Sequence, residues 1–548
     1  MNTIRNFFLS CLIFVSSLLS CCGHPSPNSL EIIPNRFYIG TIGARQCMVF
    51  FDEITTTNIT GQYFMLDEGP LTHGVDFSAK VLKRRYRVQV GNEDFNVKLS
   101  WDAKDDVLSG SYISEKGRGD FSFVEYQVPE YKEFKKRYQE ECFNVKIVKD
   151  VEYGKAQGFW TSYPTTDEAN YLKVLSDGIG SSFKKKELSL RMDIYLPQED
   201  TLKKRPLLIM IHGGAFYIGD KASQAFQKWC THFASLGYVT VSLNYRLGFR
   251  LSKQSIERTG YNAVQDAHAA TRYLVSHRND YGIDTSLIFV GGSSAGGITS
   301  LNLAFMRNNT RPKSSYGKLF TDDLGNIESS GNKIKANFRI KAVANMWGAV
   351  NDLKQIENSR TSIISFHGDA DQIVPYDNGY PFSDIKGPVG EMFFERMYGS
   401  ASIHRKAKQL GLREEMYTLQ GMGHGPYEDK NGKLTPVFNF IQDHMDTFFY
   451  PEIVNDNATL QPCTPQAYVT DRWSEKNELA VIEVNMPQCY ELVGDNISQV
   501  YWKIEGGFIL SQQANNVKVV WLENYPVHRL TASGCYTNGA AFVRTVEK

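Results

Sequence analysis

The chain has 548 residues, with 60 Lys plus Arg balanced by 60 Asp plus Glu and 42% hydrophobic residues. Zero net charge excludes the basic footprint of a nucleic-acid binder and provides no electrostatic attraction to a membrane surface. The length is sufficient for about two to four folded domains.

In chain order, the first element is a leader. Arg5 precedes an apolar stretch from Phe7 to Leu19, too short to span a bilayer and matching the apolar region of a secretory signal. It ends in Leu18-Leu19-Ser20-Cys21, which resembles a bacterial lipobox. Residues 1–20 are therefore expected to be a lipoprotein signal peptide and residues 21–29 a Pro/Ser tether, with Cys21 as the lipid anchor. The expected destination is the cell envelope, as an outer-membrane lipoprotein on the periplasmic or surface side. A simple cleaved secretory peptide is the alternative.

Residues 30–127 read as an N-terminal β domain. Short runs such as Met48-Val49-Phe50-Phe51, Tyr86-Arg87-Val88-Gln89-Val90 and Phe95-Asn96-Val97-Lys98-Leu99 are separated by polar and Gly turns at hairpin distances, as in a β-meander. Residues 128–170 read as a charged linker.

Residues 171–450 alternate between strand and helix patterns, which implies a mostly parallel sheet covered on both faces. Leu207–Ile211 reads as a buried strand that runs into His212-Gly213-Gly214-Ala215-Phe216. Helices are predicted over Ala222–Leu236 and Tyr261–His277, with a strand over Tyr238–Leu243 between them. Leu287–Val290 is followed by Gly291-Gly292-Ser293-Ser294-Ala295-Gly296-Gly297 and then a helical run. Strand, sharp Gly-x-Ser-x-Gly turn and helix is the arrangement that exposes a nucleophilic serine and aims helix N–H groups at a developing oxyanion. The strand candidate 361–366 leads into His367-Gly368-Asp369-Ala370-Asp371-Gln372-Ile373-Val374-Pro375. The last strand, Glu414–Leu419, leads into Gly421-Met422-Gly423-His424-Gly425. A serine hydroxyl needs a general base, and the base needs an orienting carboxylate. His424 occupies the loop where such a base belongs. Asp369 and Asp371 are the rival carboxylates.

Residues 455–548 return to strand patterns around a Gly506-Gly507 turn, including Val500–Glu505 and Val517–Trp521. They resemble the polycystic-kidney-type (PKD) immunoglobulin-like sandwiches appended to many secreted bacterial enzymes. Export permits disulfides. Cys47 with Cys142 is one candidate pair, and two of Cys463, Cys489 and Cys535 would staple the C-terminal module. Cys230 lies on a predicted helix and reads as a buried thiol. No Cys/His spacing resembles a zinc site, and Asp369-Ala370-Asp371 lacks the rest of a calcium loop.

His212-Gly213-Gly214, Asn244-Tyr245-Arg246-Leu247-Gly248, Gln265-Asp266, Tyr281-Gly282-Ile283-Asp284 and Gly-x-Ser-Ala-Gly-Gly occur in that order. Over residues 180–450 the chain resembles the α/β-hydrolase superfamily, most closely the carboxylesterase and hormone-sensitive-lipase-like esterases. The resemblance implies a doubly wound α/β-hydrolase sheet, here flanked by the β-meander and the Ig-like sandwich. It implies Ser294 as nucleophile, Asp371 as triad acid and His424 as base. It implies oxyanion donors at Gly214, Ala215 and Ala295, and no cofactor or metal. The residue before the nucleophile is often acidic in those esterases and is Ser293 here. His367 reads as a loop-bracing histidine. Phe216, Tyr217 and Trp347 are candidate pocket walls.

The expected activity is hydrolysis of a small-molecule or polysaccharide-linked ester, such as an acetyl or feruloyl group, through an acyl-enzyme. The alternatives are a serine peptidase or acylaminoacyl hydrolase on the same triad, and a non-catalytic surface binding protein. The only membrane contact expected is the lipid anchor.

Overall fold

The computed structural model describes residues 36–548, apart from 163–183, 319–320, 384–388, 464–468, 474–478, 484–487, 523–524 and short stretches at 44, 56, 67–70, 73, 83–84, 91–92, 103–106 and 116. The leader, Cys21 and the tether lie outside the described residues.

The N-terminal strands form a closed barrel of up-and-down antiparallel neighbours, sealed where Phe37–Ile42 pairs with Gly117–Glu125. Alternation along the strands serves two surfaces at once. Cys47, Val49 and Phe51 point into the barrel core with Tyr38 and Phe123. Met48 and Phe64 point outward and pack on Phe508 and Val520 of the C-terminal module. The meander expected from hairpin spacing thus closes on itself, which removes its edges.

The central sheet has eight strands: β1 (Val145–Gly158), β2 (Lys186–Pro197), β3 (Arg205–Ile211), β4 (Val239–Leu243), β5 (Ile283–Ser293), β6 (Ala342–Met346), β7 (Ser362–Gly368) and β8 (Glu414–Leu419). Their order is β1-β2-β4-β3-β5-β6-β7-β8. The β1–β2 and β2–β4 pairs are antiparallel, and every later pair is parallel. Strand β1 corrects the sequence reading, because it falls inside the expected 128–170 linker. Its charged residues Lys146, Lys149, Glu152 and Lys155 suit a solvated edge strand as well as a linker.

Helices α1 (Gln224–Ser235), α2 (Lys253–Ser276), α3 (Ala295–Phe305), α4 (Ser400–Gln409) and α5 (Pro436–Ile453) cover the sheet. Ala263, Ala267, Ala270 and Leu274 of α2 pack on one face with Leu301 and Phe305 of α3 and Ile403 of α4. Phe226, Trp229 and Phe233 of α1 cover the other face with Ile441, Met445 and Phe448 of α5. Helix α2 begins eight residues before the expected Tyr261. Its first turns are polar and are started by Ser252, whose side chain accepts from Ser255 N.

The C-terminal module has a sheet in the order Thr459–Pro462, Gln488–Val493, Asn516–Leu522, Gly507–Gln513, and a second sheet of Ile497–Glu505, Arg529–Tyr536 and Ala541–Glu547. A Cys463–Cys489 disulfide ties the first sheet. Cys142 is a free thiol beside Ser235, so the expected Cys47–Cys142 pair does not form; Cys47 is buried in the barrel wall instead. Cys230 is a buried thiol on α1.

The Asn244–Arg246 and Gln265–Asp266 motifs meet under the sheet. Arg246 donates from its main-chain N (2.8 Å) and from Nη2 (2.7 Å) to Asp266, which is fully buried. Removing one member of such a pair leaves an uncompensated buried charge. Arg246→Met is expected to cost about 3–5 kcal/mol in urea unfolding. Asp266→Leu added to it should recover part of that loss.

Candidate active site

The nucleophile candidate sits where β5 turns into α3. Ser294 adopts φ 56° and ψ −120°, a conformation rarely occupied by a residue with a side chain. The turn is this tight because Gly292 and Gly296, two residues to either side, have no Cβ. One at Gly296 would lie 2.0 Å from the Ile211 carbonyl oxygen. Ser294 N donates to Met346 O at 2.9 Å and fixes the turn against β6.

The three residues singled out by the sequence form one hydrogen-bonded chain. Ser294 Oγ lies 2.8 Å from His424 Nε2, and His424 Nδ1 lies 2.7 Å from Asp371 Oδ2. An ionised carboxylate only accepts, so Nδ1 carries the proton and Nε2 is left to accept from the serine. Asp371 Oδ1 accepts from Ile373 N and Val374 N at 2.8 and 3.0 Å. Its Oδ2 also lies 3.2 Å from His367 Nε2. Burial alone would raise the Asp371 carboxyl. Hydrogen bonds from His367 and His424 outweigh it and hold the group well below the usual carboxylate range. Asp369, the rival, is exposed and accepts from Gly421 N at 2.6 Å, bracing the loop that carries His424.

His367 is fully buried. Its Nδ1 accepts from Ser400 Oγ at 2.7 Å, and Ser400 Oγ accepts from Asn345 Nδ2 at 2.9 Å. Ser400 and Asn345 carried no signal in the sequence, since single Ser and Asn residues on a strand or helix have no pattern.

The loop after β3 reaches over the same turn. Gly214, Ala215 and Phe216 have φ of 104°, 47° and 61°. A Cβ at Gly214 would lie 2.1 Å from the Ile218 carbonyl oxygen, so this position requires glycine. Ala295 is the first residue of α3, so its N–H has no intrahelical acceptor. Gly214 and Ala215 line one pocket with Ser294, and Ala215 and Ala295 line another with it.

Two pockets meet at Ser294. One, of about 120 Å³, is lined by Phe216, Ile256, Val264, Ile298, Phe382 and Met397. The other, of about 510 Å³, is lined by Gly214, Asp220, Trp347, His424, Tyr427 and Glu428. Trp347 stacks on Tyr427 with ring centroids 5.4 Å apart and meets His424 edge-on at 6.3 Å. Phe216 and Trp347 thus line the pockets, whereas Tyr217 lines neither. The left-handed turn at 214–216 swings Tyr217 to the back of the loop, where it packs edge-on against Trp160 and Phe249. Tyr427 and Glu428 were missed in the sequence, although they follow His424 in the same loop. Among the described residues, no group of three or more His, Cys, Asp or Glu gathers where it could hold a metal ion.

The BD-FAE family model matches residues 192–365, which include Gly214, Ala215 and Ser294 and stop before Asp371 and His424. The probable carboxylic ester hydrolase LipM of Mycobacterium tuberculosis is 33% identical over 115 residues, 21% of this chain and 25% of that protein. Gut esterase 1 of Caenorhabditis elegans is 30% identical over 131 residues, 24% and 22% of the two chains. Probable carboxylesterase 5 of Arabidopsis thaliana is 30% identical over 154 residues, 26% and 45% of the two chains. In each case the match spans less than half of the relative's own length. Among solved structures, a truncated carbohydrate esterase from gut microbiota aligns with TM-score 0.36 and 19% identity, over 58% of this chain and 99% of that one. Thermogutta terrifontis esterase 2 aligns with TM-score 0.34 and 20% identity, over 48% and 89% of the two chains.

His212 lies at the base of the loop after β3. Its ring stacks on Tyr245 at 4.6 Å, and Nδ1–H donates to Gly213 O at 2.8 Å. Burial outweighs that hydrogen bond and pushes its pKa down to about 4. Between pH 6.5 and 4 the unfolded chain therefore binds a proton at His212 that the folded chain does not, and stability falls as pH falls. Comparing pH 7 with pH 4.5, His212→Gln should lose roughly 2–3 kcal/mol less unfolding free energy than the wild type. His268, also pushed down to about 4, leaves a residual slope in both.

Proposed function

We propose that this chain is a serine hydrolase of carboxylic esters. The observation that carries the proposal is the continuous Ser294–His424–Asp371 chain placed at the junction of two pockets. In this reading His424 Nε2 takes the proton of Ser294 Oγ as the hydroxyl attacks the ester carbonyl. Asp371 holds the imidazole tautomer and stabilises the imidazolium. The N–H groups of Gly214, Ala215 and Ala295 meet the oxyanion. His424 then returns the proton to the departing alkoxide, and water hydrolyses the acyl-enzyme by the same route.

This chemistry assigns the pockets. The leaving oxygen must lie within reach of His424, and His424 lines only the larger pocket, so the alcohol occupies that side. The acyl group occupies the small apolar pocket beside Ile298. Its volume of about 120 Å³ is below the ~150 Å³ cavity that accepts benzene. Short acyl groups such as acetyl fit better than a substituted feruloyl ring. The roomy alcohol side, with Asp220, Glu428 and Asp429 in its lining, suits a sugar hydroxyl of a polysaccharide. Export as a Cys21-anchored lipoprotein is part of this proposal. The Cys463–Cys489 disulfide supports it, since such bonds belong to oxidising compartments.

The test is hydrolysis of p-nitrophenyl acetate, butyrate and octanoate. Wild type should turn over acetate and butyrate and lose kcat/KM steeply at octanoate. Ser294→Ala and His424→Ala should each lower kcat by roughly 10⁴–10⁶-fold, and Asp371→Asn by about 10⁴-fold, with folding retained. Equal rates in wild type and Ser294→Ala would overturn the nucleophile. Turnover of acetanilides at rates matching the esters would instead favour an amide hydrolase.

A further inference from the structure

The pockets on either side of Ser294 differ in charge as well as size. The alcohol-side pocket is lined by three carboxylates, Asp220, Glu428 and Asp429, and, among the described residues, by no Lys or Arg. Lys221, next to Asp220, points elsewhere: its Nζ pairs with Asp150 at 3.1 Å and Asp193 at 2.8 Å.

Two of the three carboxylates are engaged in holding the fold. Asp220 accepts from Ser162 Oγ, Asn244 Nδ2 and Ala222 N. Asp429 Oδ1 accepts from Asn431 N and Lys433 N and closes its own turn. Glu428 is different. Its backbone is fixed by pairing with Leu434 and by a bond from its N to Gly425 O, in the loop that carries His424. Among the described residues, no hydrogen bond or ion pair engages its carboxylate. It is half-buried, and burial together with the neighbouring Asp429 charge raises its pKa. Trp347 and Tyr427 line the same pocket.

We propose that Glu428 is a specificity-determining residue, whose carboxylate selects esters of neutral or cationic alcohols and rejects alcohols that carry a carboxylate. On a polysaccharide, this favours acyl groups on neutral or amino sugars over acyl groups on uronic acids. The inference rests on the esterase reading above and goes beyond it, because an intact triad has no preference for the charge of the alcohol. A half-buried carboxylate in a solvent-open pocket acts on a charged leaving group most strongly at low ionic strength, and its effect falls with salt.

The experiment compares kcat/KM for three acetates, of 3-(trimethylammonio)phenol, phenol and 3-hydroxybenzoate, each normalised to its rate with hydroxide. Wild type is expected to prefer them in that order. Glu428→Gln is expected to shrink the cationic-to-anionic ratio about tenfold, equivalent to 1.4 kcal/mol, a change read as a ratio and so independent of any common change in turnover. Sodium chloride should shrink the wild-type ratio in the same direction, and Asp429→Asn, with an unchanged melting temperature, should shrink it less than Glu428→Gln. An unchanged ratio in Glu428→Gln, with phenyl acetate still hydrolysed, overturns the role of Glu428 and leaves the esterase reading standing. No turnover of any acetate by folded wild type overturns both.

Discussion

Ser294 is held in a backbone conformation that costs about 1–3 kcal/mol, and much of the surrounding structure is arranged to impose it. The β5–α3 turn has no room for a side chain at its glycines. A Cβ at Gly292 would lie 2.4 Å from Gly296 O, and one at Gly348 would lie 2.3 Å from Asn345 Oδ1. The chain therefore passes between β3 and β6 at backbone contact distance, with Ser294 N bonded to Met346 O. Two consequences follow. The serine hydroxyl is lifted off the end of the sheet, and α3 begins immediately beside it with its positive end facing the same point.

The partner of that hydroxyl, His424, is carried on a long loop after the last strand. Several contacts fix it. Asp369 holds Gly421 at the loop's start, and Asp371 holds His424 itself. Beyond His424, Tyr427 is clamped between Trp347 and Trp229, and Trp229 stacks on Phe438 of α5. Behind Asp371 runs a chain of donors from Asn345 through Ser400 to His367. Each member gives a hydrogen bond toward the carboxylate, which keeps it ionised in a buried setting where desolvation alone would favour its neutral form.

The legible parts of this protein in its sequence are those where backbone geometry dictates residue type. A turn that excludes Cβ atoms needs glycine, so the Ser294 and Gly214 loops stand out. A buried parallel strand is an uninterrupted apolar run, so β3 and the body of β5 stand out as well. Parts that depend on partners distant in the chain were not legible. Strand β1 looked like a charged linker because its exposed edge tolerates Lys and Glu. Barrel closure depends on Phe37–Ile42 meeting Gly117–Glu125, which no local pattern encodes. Tyr217 follows Phe216 directly yet lies behind the loop, because left-handed residues at 215 and 216 reverse the side-chain direction. The Cys47–Cys142 pairing failed for the same reason, since cysteine counting carries no distance. Glu428 was overlooked because a carboxylate in a loop is ordinarily solvated, and only the pocket makes it distinctive.

The C-terminal module also acquires a different meaning from its packing. The apolar cluster beneath α1 and α5 continues without a break into Trp502, Trp521, Leu530 and Tyr536 of this module. Asn538 bridges the two parts, donating to Ile453 O at the end of α5 and accepting from Tyr138 OH. The barrel in turn packs on Phe508 and Val520, and Tyr126 OH exchanges two hydrogen bonds with the backbone of Ile509. The module thus lies between barrel and sheet, sharing apolar surface with each. Helix α5 belongs to the same cluster, and its Phe438 supports Trp229, which supports Tyr427 three residues beyond His424. The loop that carries His424 is therefore packed on a core to which the C-terminal module contributes. The physical role of that module includes holding this wall of the site in place, which a freely tethered spacer could not do.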